Sequence, residues 1–324
     1  MNSAEVLTSK LVKADTERSL LRKLIDKIPF AVWLIVPVEC FLLFLLIVPS
    51  SISIWLSFVD WQPTYGIPIY KATFVGFENF IDLFADKRFT MALLRTFLIT
   101  SVAVSAELLI GLGLAVLCDK EFPMRKFFVL CLLMPMMLIP LVVGNNFFLL
   151  FQTTGPINDI IGIIIGHDFR LNWLSSPDYA MLPILLAEIW HWYPLMFLIM
   201  LSGLRALPPN QLRAAEVLGS GRLQTFFRIK IPQLVPVILI AIVIRCMEVF
   251  KMFDEVFILT KGGPGNVTET ISVWMYKTGL KDFRFSYVSA GAWIILIVCV
   301  IIFTLLLKPL LYKVEKFEEG GSAS

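Results

Sequence analysis

The sequence predicts an all-α integral membrane protein with six transmembrane helices, and three observations carry that expectation. Hydrophobic residues make up 58% of the 324 positions and charged residues only 16%, with a mean hydropathy of +0.81. A water-soluble domain of this length has no way to bury so much apolar surface. The apolar residues also gather into segments of the length that crosses a bilayer, roughly 20 residues each. Finally, the basic residues fall unequally on the two sides of those segments.

Segment 1–29 comes first. It sets Leu20, Leu21, Leu24, Ile25 and Ile28 at helical spacing among Arg18, Arg22, Lys23 and Lys27, an amphipathic helix suited to the cytoplasmic leaflet. The apolar run 30–58 exceeds the signal-peptide h-region of about 7–15 residues and lacks an A-x-A site, so it is a retained first span. Further spans are expected at 90–118, 127–151, 180–204, 233–258 and 287–311. The loops between them leave no room for a soluble domain. The chain thus divides into a cytoplasmic segment 1–29, a six-span domain 30–311 containing a cytoplasmic loop 207–232, and a cytoplasmic tail 312–324.

With the N-terminus inside, the cytoplasmic segments hold seventeen Lys and Arg residues and the outer segments eight. That excess places both termini in the cytoplasm. The net charge of +3 is too small to suggest a nucleic-acid surface. Cys40, Cys118, Cys131, Cys246 and Cys299 lie in or beside apolar runs, odd in number and without metal spacing. They are packing residues. His167 and His191 form no metal pair, and no nucleophile–base pair or ATP site is recognisable. The loop K-G-G-P-G-N at 261–266 lacks the G-x-x-x-x-G-K-[ST] order of a phosphate cradle.

Several polar residues fall inside spans, where each would cost at least about 2.5 kcal/mol facing lipid at the bilayer centre. Arg245, Glu248, Lys251 and Asp254 recur every three residues with alternating sign, one slowly drifting stripe on a helix. Two readings stand for it: a ladder of ion pairs between subunits, or the wall of an aqueous path. In the fourth span, Glu188, Trp190, His191, Trp192, Tyr193 and Pro194 mix aromatic faces, which stack on sugar rings, with groups that bind hydroxyls. Pro194 is expected to kink that helix. Asn145 and Asn146 add amide donors and acceptors from the third span. Together these residues are the candidate substrate pathway.

The cytoplasmic loop carries the most specific signal. Pro208-Pro209-Asn210 ends the fourth span, with Asn210 the expected N-cap of a new helix through Leu218. Gly219, Ser220 and Gly221 break it, and Phe226, Phe227 and Ile229 lead toward Pro232. Arg213 and Glu216, three apart, are placed to pair locally. The stretch resembles the E-A-A-x(3)-G-x(9)-I-x-L-P loop by which permease subunits of bacterial ABC importers dock onto their ATPase subunits. Ala214, Ala215, Gly219, Ile229 and Pro232 keep its spacing; Arg213 replaces the first glutamate and Ile231 the leucine. Phe74-Val75-Gly76-Phe77-Glu78-Asn79-Phe80 resembles the F-x-G-x-x-N-[FY] start of the second span in such proteins. Phe253-Asp254 with Leu259-Thr260-Lys261-Gly262-Gly263-Pro264 resembles their F-D…L-T-x-G-G-P signature.

The chain is therefore similar to carbohydrate-type permease subunits of type I ABC importers, which carry oligosaccharides, polyols and glycerol phosphates. The resemblance implies the type I importer permease fold in a bacterial inner membrane, with Arg213, Ala214, Ala215, Glu216, Gly219, Phe226, Ile229 and Pro232 coupling to an ATPase. It implies that Gly262, Gly263 and Pro264 face an extracytoplasmic solute-binding protein. It also implies a second permease subunit, in a hetero-dimer, and two ATPase subunits carrying Mg-ATP, with no cofactor and no chemistry in this chain. An ion-coupled secondary transporter of a polar solute would also put carboxylates in spans, though internal repeats are not evident. A membrane-embedded enzyme would need a catalytic cluster.

Overall fold

The computed structural model describes residues 30–321; the amphipathic segment 1–29 and the last three residues of the expected tail lie outside it. Helices dominate. The long ones are α1 (Phe30–Ser57), α3 (Lys87–Cys118), α7 (Met181–Arg205), α10 (Ile231–Phe250) and α13 (Phe285–Gly321). Among the described residues five helical stretches are long and apolar enough to cross a membrane, and they coincide with the first, second, fourth, fifth and sixth expected spans.

The third expected span, 127–151, is not one helix. It divides into α4 (Arg125–Leu133), a 3-10 turn (Pro135–Met137) and α5 (Pro140–Leu150). Pro135 and Pro140 explain the division. Each lacks an N–H and opens its own helical piece, and Leu138 and Ile139 between them are extended. A second break interrupts the fifth span: α10 ends at Phe250 and α11 (Asp254–Leu259) restarts beyond it. The amides of Lys251 and Met252 bond three residues back, and Thr270 Oγ1 donates to the freed Met252 carbonyl at 3.3 Å. Across Pro194, the site of the expected kink, α7 continues without a break.

By their contacts the described residues fall into two units, divided between residues 55 and 56. Within the first unit, α1 carries exposed apolar side chains from Leu34 through Ile54. The second unit opens with a short antiparallel pair that hydropathy did not foretell, β1 (Val59–Asp60) with β2 (Thr73–Phe74). Asn79, in α2 (Glu78–Ala85), ties this pair down by donating to the carbonyls of Ser57 and Val59 at 3.1 and 3.0 Å.

The core of the second unit is the contact of α3 with α7. Gly111 makes it possible: a Cβ there would lie 2.7 Å from both Met196 Cβ and the Phe197 amide nitrogen. Membrane helices lack a hydrophobic drive toward one another, so close backbone approach at small residues holds them together. Ala103, Ala187, Met196 and Met200 fill this layer with Leu234 and Ala241 of α10. A second layer joins Leu83, Phe89, Phe250, Tyr287 and Trp274, the last in α12 (Ile271–Tyr276).

Between α5 and α7 lies α6 (Pro156–Ile165), pinned by Asn158. Its side chain is fully buried. The amide donates to the carbonyls of Thr153 and Leu171, both at 2.9 Å, and accepts from Trp173 Nε1 at 2.8 Å. Asn158→Ala leaves those groups unpaired and is expected to destabilise the loop by about 1–3 kcal/mol. Limited proteolysis between α5 and α7 will measure it, and a cleavage rate equal to wild type would refute it.

Candidate functional site

Arg245 sits four turns along α10 with no exposure to solvent. A charge so placed is tolerated only when paired and hydrogen-bonded. Arg245 meets that condition through two other helices. Its Nε and Nη2 donate to the two carboxylate oxygens of Glu107 on α3, at 2.7 and 2.9 Å. Nη2 also donates to Glu188 on α7 at 2.7 Å. The Trp192 ring covers the guanidinium, its centroid 4.8 Å from Cζ. Glu188 and Trp192 are one helical turn apart, so both reach Arg245 from one face of α7. The remaining nitrogen, Nη1, is buried and has no partner.

On the same side of α7, His191 joins the two broken helices. Its Nδ1 lies 3.4 Å from Glu255 on α11 and its Nε2 3.1 Å from the Leu138 carbonyl in the turn before α5. Beside Arg245 and Glu255 lies a cavity of about 240 Å³, whose lining also includes Glu188, Trp192, Glu248 and Asp254.

The expected pathway residues therefore separate into two sets. Glu188, Trp192, Arg245, Glu248, Lys251 and Asp254 border this polar cavity. Trp190 points the other way, and with Asn146 it lines an apolar cavity of about 510 Å³ beside α5. Asn145 donates to the carbonyl of Leu141 in its own helix, and Tyr193 is half-buried. The four-residue stripe is not one face: Arg245 faces the core, Glu248 and Lys251 pair at 3.2 Å in an exposed position, and Asp254 lies beyond the break at 251–253. Glu107 and Glu255 were not among the pathway candidates. Their signal was their presence in apolar spans, which demands a partner but does not name one.

The loop after α7 begins with α8 (Pro209–Val217), whose N-cap is Pro208 rather than Asn210, with Pro209 at the first helical position. Gly219 ends it at φ +78°, with Ser220 N–H donating to the Ala215 carbonyl and Gly219 N–H to that of Glu216. This is a Schellman cap, and it needs a residue free to adopt the left-handed region. A second arm starts at α9 (Arg222–Thr225), passes through a π turn (Phe226–Lys230) and runs directly into α10. Lys230 pairs with Asp119 at the end of α3 at 3.0 Å.

At this bend Val217, Leu218, Leu223 and Phe227 are all more than half exposed. Arg213, Ala214, Glu216 and Pro232 are exposed too, Phe226 and Ile229 are half-buried, and Ala215 is buried. Arg213 and Glu216 do not pair; among the described residues no ion pair joins them.

Gly262 is buried in the glycine-rich loop, and Gly263 and Pro264 are half-buried. Thr268 Oγ1 braces this loop by donating to the Gly263 carbonyl at 2.8 Å. Beside it, Glu269 is buried, gripped by Arg88 at 2.8 and 2.9 Å and by Lys277 at 3.0 Å. Burial pushes its carboxyl up, but the Arg88 and Lys277 hydrogen bonds and charges outweigh burial and hold it below the ordinary carboxylate range.

Comparison with known proteins agrees with this architecture. The family described as "Binding-protein-dependent transport system inner membrane component" matches residues 107–316. The probable ABC transporter permease protein y4oQ of Sinorhizobium fredii is 36% identical over 269 residues, covering 83% of this chain and 85% of its own. The sulfoquinovosyl glycerol transport system permease protein SmoG of Agrobacterium fabrum is 33% identical over 264 residues, covering 81% and 84%. A solved chain of a bacterial ABC transporter involved in the import of the acidic polysaccharide alginate has a TM-score of 0.73 at 20% identity, covering 90% of this chain and 98% of that one. At that identity the likeness speaks for the fold alone.

Proposed function

Because the chain belongs to the binding-protein-dependent transport system inner membrane components, we propose that it forms half of the translocation pathway of a carbohydrate importer, beside a second permease subunit. Such an importer is driven through a binding protein and ATP, and the ion-coupled alternative has no further support. Two partner ATPase subunits bind and hydrolyse Mg-ATP; this chain supplies no catalytic group. Both termini face the cytoplasm, as the distribution of basic residues indicates. The sulfoquinovosyl glycerol cargo named for the Agrobacterium relative supports a carbohydrate class.

One observation supports the coupling role above others. The exposed bend at Gly219 leads without a break, through Arg222 to Phe250, to the helix that carries Arg245. A surface at which an ATPase can push is thus part of the same rod that borders the polar cavity. In this mechanism, ATP closes the ATPase subunits around the loop, α10 shifts against α3 and α7, and the cavity opens outward. Hydrolysis reverses the movement and opens it inward.

Gly219→Val tests this. A Cβ at Gly219 meets open space, so no packing is lost. The left-handed backbone there opposes a side chain by about 1–2 kcal/mol, distorting the bend alone. The complex should assemble in normal yield yet lose about tenfold in uptake, the factor that ~1.4 kcal/mol sets, with binding-protein-stimulated ATP hydrolysis falling alongside. Wild-type coupling in this variant would remove the loop from the mechanism. Solute uptake by vesicles holding no ATPase subunit would remove the function as a whole.

A further inference from the structure

The polar cavity also carries information about charge. Two of the three guanidinium nitrogens of Arg245 are committed to Glu107 and Glu188, at 2.7 to 2.9 Å. Two carboxylates already balance its charge, so Arg245 has no positive charge left for a third. Its third nitrogen, Nη1, is buried without a partner and out of reach of solvent. The other cation in the lining, Lys251, is paired with Glu248 at 3.2 Å. Asp254 and Glu255 add two more carboxylates, so four acidic side chains border the cavity against two basic ones. Glu255 faces His191 at 3.4 Å, and Glu107 lies behind Arg245. Trp192 and Phe253 give the cavity aromatic surface as well.

We infer that this cavity accepts an uncharged polyhydroxylated solute and rejects anionic ones such as sugar phosphates and uronates. The inference rests on the carbohydrate-importer reading and narrows it. Sugar hydroxyls donate to the carboxylates of Asp254 and Glu255, and the apolar ring face lies on Trp192. A phosphate or carboxylate in the same place has donors only from cations already neutralised, and it meets the surplus acid side chains directly. Carboxylates accept hydrogen bonds from hydroxyls but cannot pair with another anion.

The test is direct titration of the assembled importer in nanodiscs without its binding protein, read by tryptophan fluorescence. The probes are matched pairs: trehalose with trehalose phosphate, glucose with glucuronate, glycerol with glycerol phosphate. The neutral member of at least one pair should bind about tenfold or more tightly than its anionic counterpart. In the doubly neutralised variant Glu248→Gln/Asp254→Asn, that preference should shrink several-fold, chiefly through tighter binding of the anion. Equal or tighter anion binding by the wild type overturns the inference, as does an unchanged ratio in the variant or no binding of any probe. ATP-driven uptake with the binding protein present is measured separately. Uptake of an anionic sugar there would leave the importer reading intact and sink only the charge selection, whereas uptake restricted to a non-carbohydrate would sink both.

Discussion

Arg245→Leu is expected to be the most damaging single substitution in the chain. It leaves Glu107 and Glu188 buried close together without a counter-charge, a change that costs about 3–5 kcal/mol in comparable buried pairs. Thermal unfolding of the purified permease in nanodiscs should show a large fall in midpoint, or the protein should fail to accumulate. Arg245→Lys keeps the charge but loses the fork that meets both Glu107 oxygens, so its loss should be smaller. Neutralising all three groups, Glu107→Gln/Glu188→Gln/Arg245→Met, should restore most of the stability while leaving transport impaired. A melting point for Arg245→Leu close to wild type would mean the ion cluster does not hold α3, α7 and α10 together.

Gly111→Val comes next. A Cβ at this position already overlaps Met196 Cβ and the Phe197 backbone nitrogen at 2.7 Å. The nitrogen belongs to the main chain of α7 and cannot rotate out of the way, so the two helices must part. Overpacking of this kind costs about 1–3 kcal/mol. Here the separation also reaches Glu107, one helical turn away, whose oxygens must stay within hydrogen-bond range of Arg245. Lower yield and a lower midpoint are expected, with Gly111→Ala intermediate between Val and wild type. Full stability in Gly111→Val would show that α3 and α7 slide freely.

Much of this structure was legible in the amino-acid order. Span positions follow from hydropathy, because in lipid every backbone group must be satisfied within its own helix. The bend at Gly219 followed from the loop motif, and its Schellman cap gives the physical reason for that glycine. The breaks at 134–139 and 251–253 escaped because window hydropathy averages across them. Pro135 and Pro140 marked the first, but no proline marks the second. The partner of Arg245 escaped for another reason: Glu107 lies 138 positions away, and sequence separation says nothing about which helices touch. Helical period alone separates Trp190 from Glu188 and Trp192, which treating 188–194 as one cluster had obscured.

The uninterrupted helical run from Arg222 to Phe250 has a mechanical consequence. Leu223 and Arg245 stand roughly 33 Å apart along it at 1.5 Å per residue. Breaks in the helix bound the run, at Gly219 on one side and at residues 251–253 on the other. It is built like a connecting rod, held to α3 near its lower end by Lys230 and Asp119 and clasped near its upper end at Arg245. In the proposed mechanism, a push at the lower end would reach the guanidinium along this one rod, where Glu107 and Glu188 hold it.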